Sequence, residues 1–271
     1  MRTPYFFLGL TALLIASSPA FAQDRAVFIS PRPLPPDITP RVPLGQCGAW
    51  RGFYGPIDYR TTDAGTRARV ESHHFDDYIP RFLTWQTTQP FDKYIAANFS
   101  YTLRAFPNHP VSLSAMEQIG RRLKSEFIPG SMFPMECWYV RAFQTTPDDP
   151  VVHAQYGIYL AFRGRAAEAR AHLDSADDKL CTSAAMQYQI GMANINLGAW
   201  EKAQRNALRI DRLNAPLPAV KQALVNAGKW NASTDTLPLE KDAACQRAIS
   251  GDEDPANAPA SASASSPPAP K

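Results

Sequence analysis

The chain has 271 residues, of which 20% are charged and 45% hydrophobic, and its formal net charge is +3. This composition is typical of a globular protein. A charge this small, spread along the whole chain, gives no support to nucleic acid or to an anionic membrane surface as a partner.

The first residues have the layout of a secretory signal peptide. Arg2 precedes an apolar run over residues 5–16, and Ala20-Phe21-Ala22 supplies the small residues of a cleavage site. The pattern predicts a signal peptide over residues 1–22 that is cleaved after Ala22. The apolar run is too short for a bilayer span of about 20 residues, and no later stretch is apolar enough to form one. We therefore expect an exported, periplasmic protein without a membrane span.

Both flanks of the mature chain are rich in proline. Six prolines lie between Pro31 and Pro43, and such a segment favours an extended polyproline conformation. We predict a semi-rigid linker over residues 23–45. From Asp252 onward the chain consists mainly of Asp, Pro, Ala, Ser and Asn. Because this composition offers little apolar surface to bury, we predict a disordered tail over residues 231–271.

An internal repeat occupies the second half of the chain. Three pairs of small residues are separated by 34 positions: Gly157 and Gly191, Gly164 and Gly198, and Ala169 and Ala203. The first glycine allows close helix packing, the second ends a helix in a left-handed conformation, and the alanine lies where two helices cross. This period and spacing resemble the tetratricopeptide repeat. The helices predicted from it cover residues 151–163, 166–180, 184–197 and 200–213.

The resemblance implies an all-α fold, a short right-handed superhelix of tetratricopeptide-like hairpins over residues 108–230. A distorted first unit would pair a helix over residues 111–124 with one that ends near Pro147, and a closing helix over 217–228 would cover the open end. Residues 46–107 do not follow the repeat. They are predicted to form an irregular N-terminal extension, with an aromatic loop or short strands over 48–59 and a helix over 92–106.

Three phrases carry a narrower resemblance. Residues 55–60 (Gly-Pro-Ile-Asp-Tyr-Arg), 70–75 (Val-Glu-Ser-His-His-Phe) and 101–110, which end in Pro-Asn-His-Pro, are similar to a family of exported proteobacterial tetratricopeptide proteins. Ser100 departs from that family, where an acidic residue is expected. The resemblance implies the same fold and compartment, and it implies no activity.

The first helix of each repeat lines the concave wall of such a superhelix. The register predicts a peptide-binding groove formed by Ala154, Ile158, Phe162, Tyr188, Met192, Ile195 and Asn196. Its partner would be another protein or peptide, held as an extended segment or a helix. In the alternative arrangement, the aromatic N-terminal segment, with Trp50, Phe53 and Tyr54, folds back and fills the groove.

A second hypothesis is a metal-dependent enzyme or accessory centred on Asp58, Glu71, His73 and His74, since these side chains are possible ligands of divalent ions. However, His73 and His74 are adjacent, so their side chains point apart on a regular helix or strand. No hydrolase, zinc-protease or phosphate-loop motif is present. We therefore favour a structural hydrogen-bond network, and we predict no metal, no cofactor and no catalytic residue.

Four cysteines are present, Cys47, Cys137, Cys181 and Cys245. An even count in an oxidising compartment favours disulfides, and four cysteines allow three pairings among which the sequence does not choose. We favour Cys47 with Cys137, because that bond would attach the N-terminal segment to the first repeat unit.

Overall fold

The computed structural model describes residues 26–50, 54–87, 90–234 and 236–250. This part of the chain is all-α: it holds eleven α-helices, short 3-10 segments and no β-strand. The helices are α1 (Ala64–His74), α2 (Tyr78–Trp85), α3 (Lys93–Ala105), α4 (Pro110–Leu123), α5 (Met135–Thr145), α6 (Pro150–Phe162), α7 (Ala166–Asp177), α8 (Ala184–Asn196), α9 (Trp200–Arg212), α10 (Ala219–Asn226) and α11 (Ala243–Ser250). The predicted signal peptide lies outside the described residues. Within them, no helix combines the length and apolar character needed to cross a membrane.

The internal repeat corresponds to two equivalent helical hairpins, α6 with α7 and α8 with α9. Both ends of α8 follow those of α6 by 34 residues, and α9 begins 34 residues after α7. Gly157 packs against α7 so closely that an added Cβ atom would lie 2.8 Å from the Leu173 Cγ atom. Gly164 and Gly198 follow α6 and α8 with φ angles of 72° and 68°, where a residue with a Cβ atom is strained. The predicted roles of these glycines are confirmed.

The hairpins are extended at both ends by further helices. On one side α4 and α5 precede them, and α5 ends at Thr145, two positions before Pro147. On the other side α10 covers α9, with Val220 and Leu224 fully buried. One apolar cluster contains buried side chains from every helix between α2 and α8, and a smaller cluster joins α9 to α10. Packing of this extent is the main source of helix stability.

The N-terminal extension is more regular than predicted. It holds α1, α2 and α3, and only α3 was expected from its apolar pattern. The 11-residue α1 buries Thr66 and Val70 alone, so its sequence shows no apolar stripe, and it begins where Asp63 accepts a hydrogen bond from the Thr66 backbone N–H at 2.8 Å. Of the two alternatives for residues 48–59, an aromatic loop or short strands, the described residues form no strand, and Ile57 makes an isolated antiparallel bridge with Phe28.

The predicted proline-rich linker is also corrected. Its described residues pack on the helices as a strap, a term used here for residues 26–47. Ile38 is buried in the main cluster, and the Arg32 backbone N–H donates to the Gln144 carbonyl at 2.8 Å. A polyproline-like backbone makes no internal hydrogen bonds, so its N–H groups are free to pair with helices. The strap ends at the Cys47–Cys137 disulfide, which confirms the favoured pairing.

The chain remains ordered beyond the predicted end of the folded part at Trp230. Residues 236–250 include α11, which is attached by a second disulfide between Cys181 and Cys245. Asp242, just before α11, accepts from Arg209 at 2.7 Å and from Arg212 at 3.0 Å. The sequence did not predict this attachment, because the segment has few apolar residues and is held by a disulfide and ion pairs instead. The rest of the predicted tail, residues 251–271, lies outside the described residues.

Candidate functional site

The predicted groove residues of the first hairpin are covered. Ala154 and Ile158 are buried in the main cluster, with 0% and 5% of their surface exposed. Phe162 is half-buried, and the Arg121 guanidinium of α4 lies over its ring at 4.0 Å. Of these three residues, Phe162 therefore faces α4, and the other two are buried in the core.

The groove residues of the second hairpin pack elsewhere. Tyr188, Met192 and Ile195 contact the cluster formed by α9 and α10. Asn196 donates to the Ala161 carbonyl of α6 at 2.9 Å, so its amide holds the two hairpins together. Six of the seven predicted residues thus divide between two apolar clusters, and Asn196 makes a polar contact between the hairpins.

The helices α4, α6 and α8 approach one another through a shared polar contact. The Gln189 Oε1 atom of α8 accepts from Gln155 of α6 at 2.8 Å and from the Ser114 hydroxyl of α4 at 3.3 Å. Trp50 and Tyr54 do not fill this space: Trp50 lies on Arg141 of α5, and Tyr54 contacts Phe28. Phe53 lies outside the described residues.

Asp58 belongs to a polar network at the start of α6. Its carboxylate accepts from the Asn108 side chain at 2.7 Å and from the Arg60 backbone N–H at 2.9 Å. Asn108 also donates to Asp149 at 2.9 Å, and Asp149 pairs with the Arg60 guanidinium at 2.8 Å. Since Asp149 caps α6 through the Val151 backbone N–H, this network holds the loop of residues 58–60 against the repeat.

Glu71 belongs to a second network, at the start of α4. It accepts from the Tyr59 hydroxyl at 2.9 Å and lies 3.2 Å from His109 Nε2. The His109 Nδ1 atom accepts from the Ser112 backbone N–H at 3.1 Å, so Nε2 carries the proton that is donated to Glu71. The hydrogen bond from His109 lowers the pKa of Glu71, and burial lowers the pKa of His109. The neutral imidazole of His109, which donates a hydrogen bond to the Glu71 carboxylate, therefore caps α4.

The two adjacent histidines do not join either network. His73 is exposed beside Ser72, whereas His74 stacks on Tyr101, with ring centroids 3.7 Å apart, and contacts Asn98 at 2.8 Å. Among the residues that the structure describes, no group of three His, Cys, Asp or Glu side chains is placed to hold a metal ion. The four residues of the enzyme hypothesis therefore do not converge on one point.

A cavity of about 410 Å³, here called the basic pocket, lies where α4, α6 and α8 begin. Its lining residues are Tyr59, Arg60, Arg67, Asn108, Pro110, Val151, Lys179, Leu180, Thr182, Ser183 and Met186. The apolar surface comes from residues such as Leu180 and Met186, which are buried. The size and the mixture of apolar surface with few polar groups are typical of ligand sites.

Every charged side chain that lines the basic pocket is positive. Arg60, Arg67 and Lys179 belong to three separate parts of the chain, and no carboxylate lines the cavity. Arg67 lies over the Tyr59 ring at 5.3 Å, and Lys179 is exposed. The nearby N-terminal ends of three helices add partial positive charge. The arrangement is suited to a ligand that combines a carboxylate with an apolar part.

A second cleft, of about 370 Å³, lies between the strap and the end of α6. Five charged side chains line it, and four of them are paired: Arg163 with Glu126 at 2.5 Å, and Arg165 with Glu136. The Tyr159 hydroxyl also donates to Glu126, at 2.9 Å. Because these side chains already satisfy one another, this cleft is less suited than the basic pocket to bind a charged ligand.

The sequence offered no signal for the basic pocket. Arg60, Arg67 and Lys179 match no motif, and their clustering depends on how the N-terminal extension packs against the repeat. Comparisons with family models, curated proteins and solved structures were made for the whole chain, and none of the three gives a match.

Proposed function

We propose that the protein is an exported polypeptide-binding module of the bacterial cell envelope, and that the basic pocket receives an acidic segment of its partner. The observation that carries the proposal is the pair of cations Arg67 and Lys179 around an apolar floor with no lining carboxylate; the third lining cation, Arg60, is already paired with Asp149. Charge complementarity of this kind selects partners and speeds association. The proposal assigns no catalytic role.

The fold supports a binding role. Two hairpins related by 34 residues, extended by α4 with α5 and closed by α10, are consistent with a short right-handed superhelix of the tetratricopeptide kind. Stacked helix pairs of this type present surfaces to other chains. In our proposal the binding surface lies at the N-terminal ends of α4, α6 and α8, because the walls of those helices are packed against one another.

The compartment is part of the same proposal. Two disulfides are compatible with an exported protein, because such bonds persist in oxidising environments. Together with the signal-peptide pattern of residues 1–22, they support placement in the periplasm after cleavage at Ala22.

The proposal is tested with a fluorescein-labelled peptide of alternating Glu and Leu, whose binding to the oxidised protein is followed by fluorescence anisotropy. We expect Lys179→Glu and Arg67→Glu each to weaken binding at least tenfold. Lys229→Glu, which makes the same charge change at an exposed lysine after α10, is the matched control and should bind normally. Equal binding of a Gln-Leu peptide, or unchanged binding by both pocket variants, would show that the basic pocket is not the site.

A further inference from the structure

Arg141 of α5 is a fully buried cation whose charge is not neutralised. Its side chain is 0% exposed, and its Nη1 atom donates to the Cys47 carbonyl at 3.0 Å. The Nε and Nη2 atoms have no hydrogen-bond partner, and no salt bridge joins Arg141 to a carboxylate within the described residues. A buried charge without a partner is strongly unfavourable, so this guanidinium requires an acceptor.

The surroundings of Arg141 are cationic and aromatic. Its Cζ atom lies 3.6 Å from the centre of the Trp50 ring and 4.9 Å from that of Phe133. The Trp50 ring is held by a hydrogen bond from its Nε1 atom to Gln144 at 3.3 Å. Burial and the nearby positive charge of Arg104 lower the pKa of Arg141 to about 10. Two arginines, from α3 and α5, thus share one region.

The two unpartnered atoms form one edge of the guanidinium. Nε–H and one Nη2–H point in the same direction, and this is the edge that binds both oxygens of a carboxylate in two parallel hydrogen bonds. Aromatic rings beside the guanidinium favour a planar anion over a tetrahedral one. The third donor, Nη1, is already occupied by the strap.

We propose that Arg141 binds a small carboxylate through its Nε and Nη2 atoms, at a site between Trp50, Phe133 and the end of the strap. The bound anion neutralises the buried charge of Arg141, the side chain that holds the end of the strap through the Cys47 carbonyl. The site is separate from the basic pocket, because none of the residues that line that pocket contributes to it.

The test uses the full oxidised chain and sodium acetate, with sodium chloride exchanged to keep the ionic strength constant. The unfolding temperature of the native protein should rise with the logarithm of the acetate concentration above the dissociation constant, by roughly 5–10 °C at about a hundred times that constant. Phosphate should give a smaller rise. Arg141→Met and Arg141→Lys should abolish the response to acetate, since neither side chain offers the paired donors. Lys179→Gln should keep it, which separates this site from the proposed function.

Two results would overturn the proposal. The first is an unfolding temperature of the native protein that does not rise with acetate, or a rise with phosphate as large as that with acetate. The second uses the native protein alone, so that it remains decisive where Arg141→Met does not fold. In a ¹⁵N spectrum, acetate should move the Arg141 Nε–H resonance downfield with one-site saturation, and an unmoved resonance at saturating acetate contradicts the binding mode.

Discussion

Glu136 and Arg165 form a buried ion pair that joins α5 to the start of α7, with only 4% and 3% of their side chains exposed. Glu136 also accepts from the Tyr156 hydroxyl at 3.0 Å and from the backbone N–H groups of Arg41 and Val42 at 2.9 and 3.0 Å. One carboxylate therefore connects two helices and the strap.

Glu136→Gln should lower the free energy of unfolding by about 3 kcal/mol, because removing one partner leaves a buried charge poorly compensated. Urea denaturation followed by circular dichroism measures the change. Glu168→Gln is the control: Glu168 binds the same guanidinium but is 37% exposed, so its loss should cost about 1 kcal/mol or less. Equal losses for the two variants would contradict the importance of the buried pair.

Stability should fall as the pH drops from about 6.5 to 4. His172 packs against His153, with their Nδ1 atoms 3.0 Å apart. Burial, together with the charge of His153, lowers the pKa of His172 to about 4, although Asp37 and Glu168 act in the opposite direction. In this pH window the unfolded chain binds a proton that the folded chain does not, so protons favour unfolding.

The difference in the pKa of His172 between the folded and the unfolded chain corresponds to a loss of about 3 kcal/mol in the free energy of unfolding between pH 6.5 and 4. Urea denaturation at a series of pH values measures it, and His172→Gln should flatten the slope between pH 6.5 and 4. His73→Gln, at an exposed histidine, is the control and should leave the slope unchanged. A slope that is the same in the His172 variant would contradict the assignment.

Gly157→Ala should destabilise the protein by about 1–3 kcal/mol, because the new Cβ atom would lie 2.8 Å from Leu173 Cγ and 3.1 Å from the Leu173 backbone nitrogen. Thermal unfolding measures the loss. The matched substitution Gly45→Ala meets no atom within 4 Å and should change stability little. If both alanines are tolerated equally, the close approach of α6 and α7 is not required.

Removing residues 251–271 should strengthen binding of the Glu-Leu peptide about three- to tenfold. Residues 252–254 are Asp-Glu-Asp and follow α11, whose Cys245 is bonded to Cys181, two positions from Lys179. Carboxylates tethered this close compete with a free peptide at a high effective concentration.

Anisotropy titrations of a chain that ends at Ser250 test this expectation. A full-length chain with Asp252→Asn, Glu253→Gln and Asp254→Asn is the companion variant, since it removes the charge and keeps the length. The two should gain affinity alike. No gain in either would exclude competition by these carboxylates.

The repeat could be predicted from the sequence because interactions between residues close in the chain determine it. The 34-residue spacing of glycines predicted the hairpins, and Gly164 and Gly198 end α6 and α8 as expected. In contrast, α1 was missed because it buries only Thr66 and Val70. An amphipathic pattern identifies a helix that buries a continuous stripe of apolar side chains, and α1 buries no such stripe.

The candidate site was not accessible from the sequence. The register placed Ala154 and Ile158 on an open wall, but both side chains are buried in the main cluster. The basic pocket depends on Arg67 of α1 approaching the turn that contains Lys179, more than a hundred residues later. Contacts at that separation follow from the packing of whole helices, which no local pattern encodes.

The two disulfides also determine how the protein would respond to mechanical tension. A force applied at the two ends of the described chain reaches Cys47, crosses directly to Cys137, and leaves through Cys181 to Cys245. Residues 26–47, 137–181 and 245–250 then lie on the path of the force, while residues 48–136 and 182–244 are bypassed. Stretching would therefore act on the strap, on α5 from Cys137 onward and on the hairpin of α6 and α7, and it would leave α1 to α4 and α8 to α10 unloaded until a disulfide is reduced.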